Sequence, residues 1–117
     1  MIDKPEQMAE FSTELALSKK AEDIVIMDVR DLTSIADFFV ICSGDSDTQI
    51  KAIADAIIDG LDRKEVKVWH VEGYNARRWV LLDYVDFVVH IFQKDVRSFY
   101  DLERLWGDAK IRMIATN

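Results

Sequence analysis

The stretch RRWVLLDYVDFVVHIF, residues 77–92, contains the side chains best suited to chemistry. Between two apolar runs it has one tryptophan, two aspartates, one tyrosine and one histidine. Residues of these types build metal sites, catalytic sites and protein-binding surfaces. Which of these three kinds of site they form depends on the other side chains of the chain with which they could act.

A metal site would need His90 to meet His70 and Glu72, which alternate along another predicted strand and therefore share a face. The chain has two histidines, and nothing in the sequence brings His90 near His70. Cys42, the single cysteine, lies in the apolar run DFFVICSG, which predicts a small buried side chain rather than a nucleophile. We therefore predict no metal ligand, no catalytic residue and no cofactor.

The segment CSGDSDTQ has the order strand, glycine turn and helix start, which phosphate sites use. Asp45 and Asp47 would repel a phosphate there, and neither common phosphate-binding glycine pattern is present. The same carboxylates could hold Mg²⁺ in a minimal nucleotidyltransferase-like or metal-dependent enzyme. Nucleotidyltransferases place their acidic pair on a later strand, and VKVWHV, the later strand here, has none. Such an enzyme is the alternative to a binding function.

Two apolar runs, separated by about two residues at positions 84–85, predict an antiparallel hairpin that positions these side chains. Alternation places Trp79 and Asp83 on one face of the first strand, and His90 on one face of the second with apolar neighbours. Both faces of the hairpin carry apolar residues, so either both are covered or one is kept for a partner. Composition alone favours core and interface equally for Trp79 and Tyr84.

The rest of the chain predicts one α/β domain spanning residues 1–117. Apolar spacing predicts helices within residues 1–20, 46–61 and 96–109, and strands over residues 23–29, 37–44, 66–73, 78–83 and 86–92. The order α-β-β-α-β-β-β-α predicts a mixed sheet of about five strands flanked by helices. We expect residues 113–117 to form a frayed tail.

The charge of the chain limits the partners that it can bind. Its formal net charge is −7, with 50% hydrophobic and 32% charged residues. Because phosphate neutralisation needs a basic surface, we predict little direct nucleic-acid binding, while contact with a ribonucleoprotein through a basic protein is compatible with this charge. We see no signal peptide and no apolar run of the roughly 20 residues that a membrane span needs, and we expect a cytoplasmic protein.

Several motifs in a fixed order resemble the ribosomal silencing factor family, also called Iojap-like. They are DIVIMDVRDLTSIADFFVICSGDSDTQIKAIADAI, VEGYNARRWVLLDYVDFVVHIF and RSFYDLERLW. The resemblance implies a nucleotidyltransferase-like α/β fold without the catalytic acids, in a protein that is not an enzyme. It also implies binding to ribosomal protein uL14 of the large subunit, which sterically blocks association of the 30S and 50S subunits and represses translation under nutrient limitation.

The resemblance further implies which residues contact the partner. The family pattern falls on Glu72, Gly73, Trp79, Asp83, Tyr84, Asp86 and His90, and a later pattern adds Tyr100. Trp79 would be the buried anchor, and Asp83 and Asp86 would meet basic groups. Val85 stands where relatives usually have glycine; because positive φ is costly for valine, we expect a different turn geometry here. A homodimer that uses the apolar hairpin is a further alternative.

Overall fold

The computed structural model describes residues 4–114, except for the side chains of residues 98–100 and 102. Its elements are α1 (Pro5–Ser18), β1 (Glu22–Asp28), β2 (Phe38–Gly44), α2 (Asp47–Asp62), β3 (His70–Glu72), β4 (Trp79–Asp83), β5 (Phe87–Gln93), α3 (Lys94–Tyr100), α4 (Leu102–Leu105) and β6 (Lys110–Met113). The strands form one mixed sheet in the order β3-β4-β5-β2-β1-β6. The predicted α/β class is confirmed. In the described residues, no helix has both the length and the apolar character needed to cross a membrane.

The centre of the sheet is the pair β2 and β5, which run parallel from Phe38 opposite Phe87 to Gly44 opposite Gln93. Every residue of β2 is buried, as is every residue of β5 except Gln93. Strands covered on both faces have continuous apolar runs in place of alternation. The runs FFVIC and FVVHIF therefore occupy the positions that their composition predicts.

The first face of the sheet is covered by α1 and α2, and it contains the larger part of the core. An apolar stripe of α2 is completely buried against this face and consists of Ile50, Ile53, Ile57 and Leu61. The helix begins where Ser46 Oγ accepts a hydrogen bond from the Gln49 backbone N–H (3.1 Å). Gln49 Oε1 in turn accepts from the N–H of Asp45 (2.7 Å), so Ser46 and Gln49 form a capping pair in which the glutamine bonds the residue before Ser46.

The second face has a smaller core that the C-terminal segment covers in part. Its buried residues are Val25, Met27, Val29, Ala36, Phe39, Ile41, Val88, Phe92 and Val96. Half-buried Trp79, Leu81 and Trp106 pack against them. The ring of Trp106, beyond α4, meets the ring of Phe39 edge-on with centroids 5.8 Å apart. Trp79 and its neighbours thus lie on the less covered face of the sheet.

Two expectations for the C-terminal part of the chain are wrong. The predicted continuous helix is broken at Asp101, which takes the left-handed conformation (φ 47°) and ends α3. The expected tail over residues 113–117 includes Met113, which instead ends β6, a sixth strand antiparallel to β1; residues 115–117 of that tail lie outside the described part of the chain. All four residues of β6 are exposed. An edge strand that alternates Lys110 and Arg112 with apolar residues carries little of the pattern that marks a buried strand.

The turn between β4 and β5 also differs from expectation. Val85 has φ 74°, so the left-handed backbone is present in spite of the valine side chain, and the expected change of geometry is wrong. The Asp86 N–H donates to the Tyr84 carbonyl (2.9 Å), closing a γ-turn around Val85 alone. Asp83 Oδ1 accepts from the Val85 N–H (2.8 Å). The predicted antiparallel hairpin itself is confirmed.

Candidate functional site

The register of the hairpin brings Trp79 and His90 together on the second face. Trp79 lies opposite Phe92, and Leu81 lies opposite His90. The indole N–H of Trp79 donates to His90 Nδ1 (3.1 Å), and its ring stacks on Phe92 with centroids 4.8 Å apart. This contact fixes the orientation of the tryptophan. Because Nδ1 accepts a hydrogen bond, the neutral imidazole carries its proton on Nε2.

His90 belongs to the interior of the sheet. Only 6% of it is exposed, and the ring of Phe39 meets it edge-on at 5.2 Å. Burial lowers the pKa of His90 to about 4, so the ring is neutral at neutral pH. Its Nε2 atom has no hydrogen-bond partner in the described part of the chain. A histidine so enclosed has no access to a substrate proton, and it is suited to supporting Trp79.

The three residues considered as metal ligands share a face but do not converge. Glu72 pairs with Leu81, which pairs in turn with His90, so the leucine side chain lies between them. His70 at the edge of the sheet instead contacts Glu72, with Nε2 and Oε1 3.2 Å apart. Within residues 4–114, no group of three histidine, cysteine, aspartate or glutamate side chains is arranged to hold a metal ion.

The two carboxylates considered as Mg²⁺ ligands point to different partners. Asp45 Oδ1 lies 2.8 Å from Lys94 Nζ, which also contacts Glu22 at 2.6 Å. Asp47 Oδ2 lies 3.8 Å from the guanidinium of Arg77. Each carboxylate is thus balanced by its own cation, whereas a shared magnesium site would require both to face one point.

Cys42 and His90 lie on opposite faces of the sheet. Cys42 belongs to the first-face core and is completely buried, while His90 faces Trp79 on the second face. Burial raises the pKa of the Cys42 thiol to about 12. The thiol is therefore protonated and separated from the imidazole, which does not fit a nucleophile and base.

Tyr84 lies away from Trp79, on the first face. Its ring is parallel to that of Phe87, with centroids 4.8 Å apart and 2° between the planes. It is 7% exposed, and burial raises the pKa of its hydroxyl above the ordinary value. The hydroxyl has no hydrogen-bond partner among the described residues. Tyr84 therefore anchors the turn that carries Asp83 and the exposed Asp86.

Two of the three remaining predicted contact residues, Glu72 and Gly73, lie around the entry to β4. Glu72 is exposed at the end of β3. Gly73 has φ 77°, and a Cβ atom there would come within 2.1 Å of the Trp79 carbonyl oxygen. This close approach requires glycine and sets where the chain returns to begin β4 at Trp79. Tyr100 is the last residue of α3, and its side chain lies outside the described part of the structure.

Arg97 organises this region, although sequence reasoning assigned it no role. Its guanidinium donates to the Asp23 carbonyl (2.6 Å) and to Ser43 Oγ (2.8 Å), and it makes a two-point contact with Glu103 at 2.9 and 3.3 Å. Asp23 and Ser43 are 74 and 54 residues away in sequence, so no local pattern could reveal the contact. Arg97 fastens α3 and α4 to the ends of β1 and β2, beside the face that carries Trp79.

Comparison with known proteins gives similarity over the whole domain. The family model described as ribosomal silencing factor during starvation matches residues 2–116. A ribosomal silencing factor of Bacillus subtilis (strain 168) is 50% identical over 93 residues, which are 80% of this chain and 79% of the relative. A crystal structure of a Chromobacterium violaceum protein has a TM-score of 0.88 at 31% identity and covers 97% of this chain and 96% of its own. A Bacillus halodurans structure has a TM-score of 0.80 at 34% identity, with 94% and 98% covered.

Proposed function

The chain belongs to the ribosomal silencing factor family, and on that premise we propose that it represses translation by binding ribosomal protein uL14 on the large subunit. A domain bound there would occupy space that the small subunit needs, and would block association of the 30S and 50S subunits under nutrient limitation. The observation that carries this proposal is the family match over residues 2–116. A steric mechanism needs a rigid domain and a binding surface, but no reaction centre.

The electrostatics of the chain support a basic protein partner. A net charge of −7 attracts basic surfaces, such as those common on ribosomal proteins, and raises the rate of productive encounter. The same charge disfavours independent contact with ribosomal RNA, because phosphates would be repelled. We therefore assign the binding to protein contacts, with little direct nucleic-acid binding.

We assign the contact to the second face of the hairpin and to its turn. Trp79 is half-buried, and its indole is held in place by the hydrogen bond to His90 and by stacking on Phe92. A preoriented aromatic side chain loses little conformational freedom on binding. Asp83 and Asp86 at the turn would meet basic groups of the partner. Glu72, Gly73 and Tyr100 complete the proposed region, and Tyr84 contributes to it by anchoring the turn from the first face.

Co-sedimentation with isolated 50S subunits, followed by a subunit-joining assay, tests the function. We expect the chain to pellet with 50S and to reduce formation of 70S particles in proportion to its occupancy. Trp79→Ala should weaken binding by about 2 kcal/mol if the tryptophan is an anchor. Trp79→Phe is the matched control, because it keeps an aromatic ring on Phe92 while removing the indole N–H. Failure of the wild-type chain to bind 50S would refute the function.

We also propose that the protein is not an enzyme and that it acts in the cytoplasm, together with ribosomes. Calorimetry with ATP, CTP and Mg²⁺ should give no binding heat, and a heat lost on replacing Asp45 and Asp47 would favour an enzyme. A homodimer through the hairpin would compete for the proposed binding face. Concentration-dependent light scattering with and without 50S subunits distinguishes self-association from partner binding.

A further inference from the structure

Four large apolar side chains are exposed at one end of the sheet, and we call them the apolar rim: Leu32, Ile35, Trp69 and Val85. Their exposed fractions are 39%, 73%, 71% and 55%. They lie in the loop between β1 and β2, just before β3, and in the turn between β4 and β5. Isolated exposed apolar residues need no explanation, but a group gathered at one place marks an interaction surface.

Backbone hydrogen bonds join these three segments side by side. The Trp69 N–H donates to the Asp83 carbonyl (2.9 Å), which places the tryptophan beside the turn of Val85. The Asp37 N–H donates to the Asp86 carbonyl (2.8 Å), which places the loop of Leu32 and Ile35 against the other side of that turn. The three segments that carry the apolar rim are therefore neighbours at this end of the sheet, with the turn of Val85 between the other two.

Carboxylates surround the apolar rim. Asp31, Asp37, Asp83 and Asp86 all lie at this end of the sheet. None of the four is in an ion pair with another described residue. The neighbouring cation, Arg30, is already held by Asp28 through two hydrogen bonds of 3.0 and 2.6 Å. The surface thus combines exposed apolar side chains with carboxylates that lie outside the described ion pairs.

We propose that the apolar rim docks into an apolar depression on a basic protein surface of the large ribosomal subunit. This inference rests on the proposed function and adds a surface to it. His90 is buried and Trp79 is half-buried, so a partner that covers Trp79 would gain further apolar contact from the apolar rim. Trp69 and Ile35 are mostly exposed, and their burial would supply the apolar contact that binding requires.

The charge pattern selects a basic protein over two other occupants. In a symmetric pair of copies the same patch faces itself, so the four carboxylates of one copy would oppose those of the other. A nucleic acid would bring phosphates to the same carboxylates. A basic protein surface instead complements the carboxylates and encloses the apolar side chains.

The test measures equilibrium binding to isolated 50S subunits for one variant with two substitutions and for a control variant with one. Ile35→Ser with Trp69→Ser should weaken binding about tenfold or more, since two exposed anchors are removed. Met113→Ser is the matched control, because Met113 is 79% exposed but lies away from the apolar rim. Met113 pairs with Val25, whereas the rim adjoins the end of β1 at Asp28. We expect the control to bind as the wild type does, and both chains to unfold at the wild-type temperature.

Charge and self-association are tested in the same preparation. Asp31→Asn with Asp86→Asn should slow association with 50S subunits and reduce its dependence on salt. If the variant with the Ile35 and Trp69 changes binds 50S subunits as strongly as the wild type does, the inference is overturned and the proposed function stands. Lack of wild-type binding would overturn both. If the Ile35 and Trp69 changes reduced self-association in light scattering but left binding to 50S subunits intact, the occupant would be a second copy, and the inference would be overturned.

Discussion

Replacing Val85 with glycine should stabilise the protein. Val85 has φ 74°, in a region that glycine adopts freely and that L-residues, above all β-branched ones, adopt at a cost. The γ-turn closed by the Tyr84 carbonyl and the Asp86 N–H holds the residue there. Because neither hydrogen bond of the turn uses the valine side chain, Val85→Gly keeps the turn and removes the strain.

The magnitude follows from three terms. Relief of the left-handed backbone contributes about 2 kcal/mol. The valine side chain is 55% exposed, and losing its buried part costs about 0.7 kcal/mol. Greater freedom of glycine in the unfolded chain costs about 0.7 kcal/mol more. The free energy of unfolding should therefore rise by about 0.5–1 kcal/mol, which raises Tm by about 2–5 °C in a domain of this size.

Urea denaturation of wild type, Val85→Gly and Val85→Ala measures this difference. Alanine keeps the Cβ that opposes positive φ, so we expect glycine to be more stable than alanine by about 1 kcal/mol, with an unchanged slope against urea. Val71→Gly in β3 is the control for glycine in a strand, and it should lower stability. An alanine variant as stable as the glycine variant would refute the strain argument. Since Val85 belongs to the apolar rim, Val85→Gly should also weaken binding to 50S subunits.

Three further outcomes are expected. Tyr84→Phe should leave the free energy of unfolding unchanged or raise it by up to about 1 kcal/mol, because it removes a buried hydroxyl that has no described partner; a loss above 1 kcal/mol in urea would show that the hydroxyl is bonded. Arg97→Met should lower the free energy of unfolding, measured in urea, by about 2–4 kcal/mol, because it leaves Glu103 without its cation. Arg30→Met, at an exposed ion pair, should lower it only slightly. Equal losses of stability in the two variants would contradict the role of Arg97. Because the folded pKa of His90 is about 4 and its ordinary value is 6.5, the unfolded chain binds the extra proton, so stability should fall by about 3 kcal/mol as pH drops from 6.5 to 4. His90→Leu should remove that slope in urea titrations at several pH values, and an unchanged slope would assign it to other groups.

Strong local patterns made the central part of the fold predictable. The apolar run of β2, the stripe from Ile50 to Leu61 on α2 and the alternation around the hairpin each correspond to one structural role. Period-two alternation placed Trp79 on one face of the first strand and His90 on one face of the second, but it did not show that the two faces coincide. Their hydrogen bond did not follow, because alternation gives a face without the cross-strand register.

The unpredicted features depend on partners distant in the chain. β6 is a strand because β1 offers it an open edge, and its own sequence of alternating charged and apolar residues is too short to show it. Arg97 acquires its role from the Asp23 carbonyl and Ser43 on other strands. The burial of Tyr84 on the first face, away from Trp79, likewise depends on how the turn bends. The assignment of individual contact residues stays a prediction.

The parallel pairing of β2 with β5 has a consequence for synthesis. Phe38 and Phe87 are neighbours in the sheet but 49 residues apart in the chain. At typical translation rates the ribosome needs about 2–10 s to make the intervening residues. During that time β1 can protect one edge of β2, while the other edge of FFVIC stays open to chaperones or to another nascent chain. The strand that ends as the most enclosed part of the sheet is therefore the most vulnerable while the protein is being made.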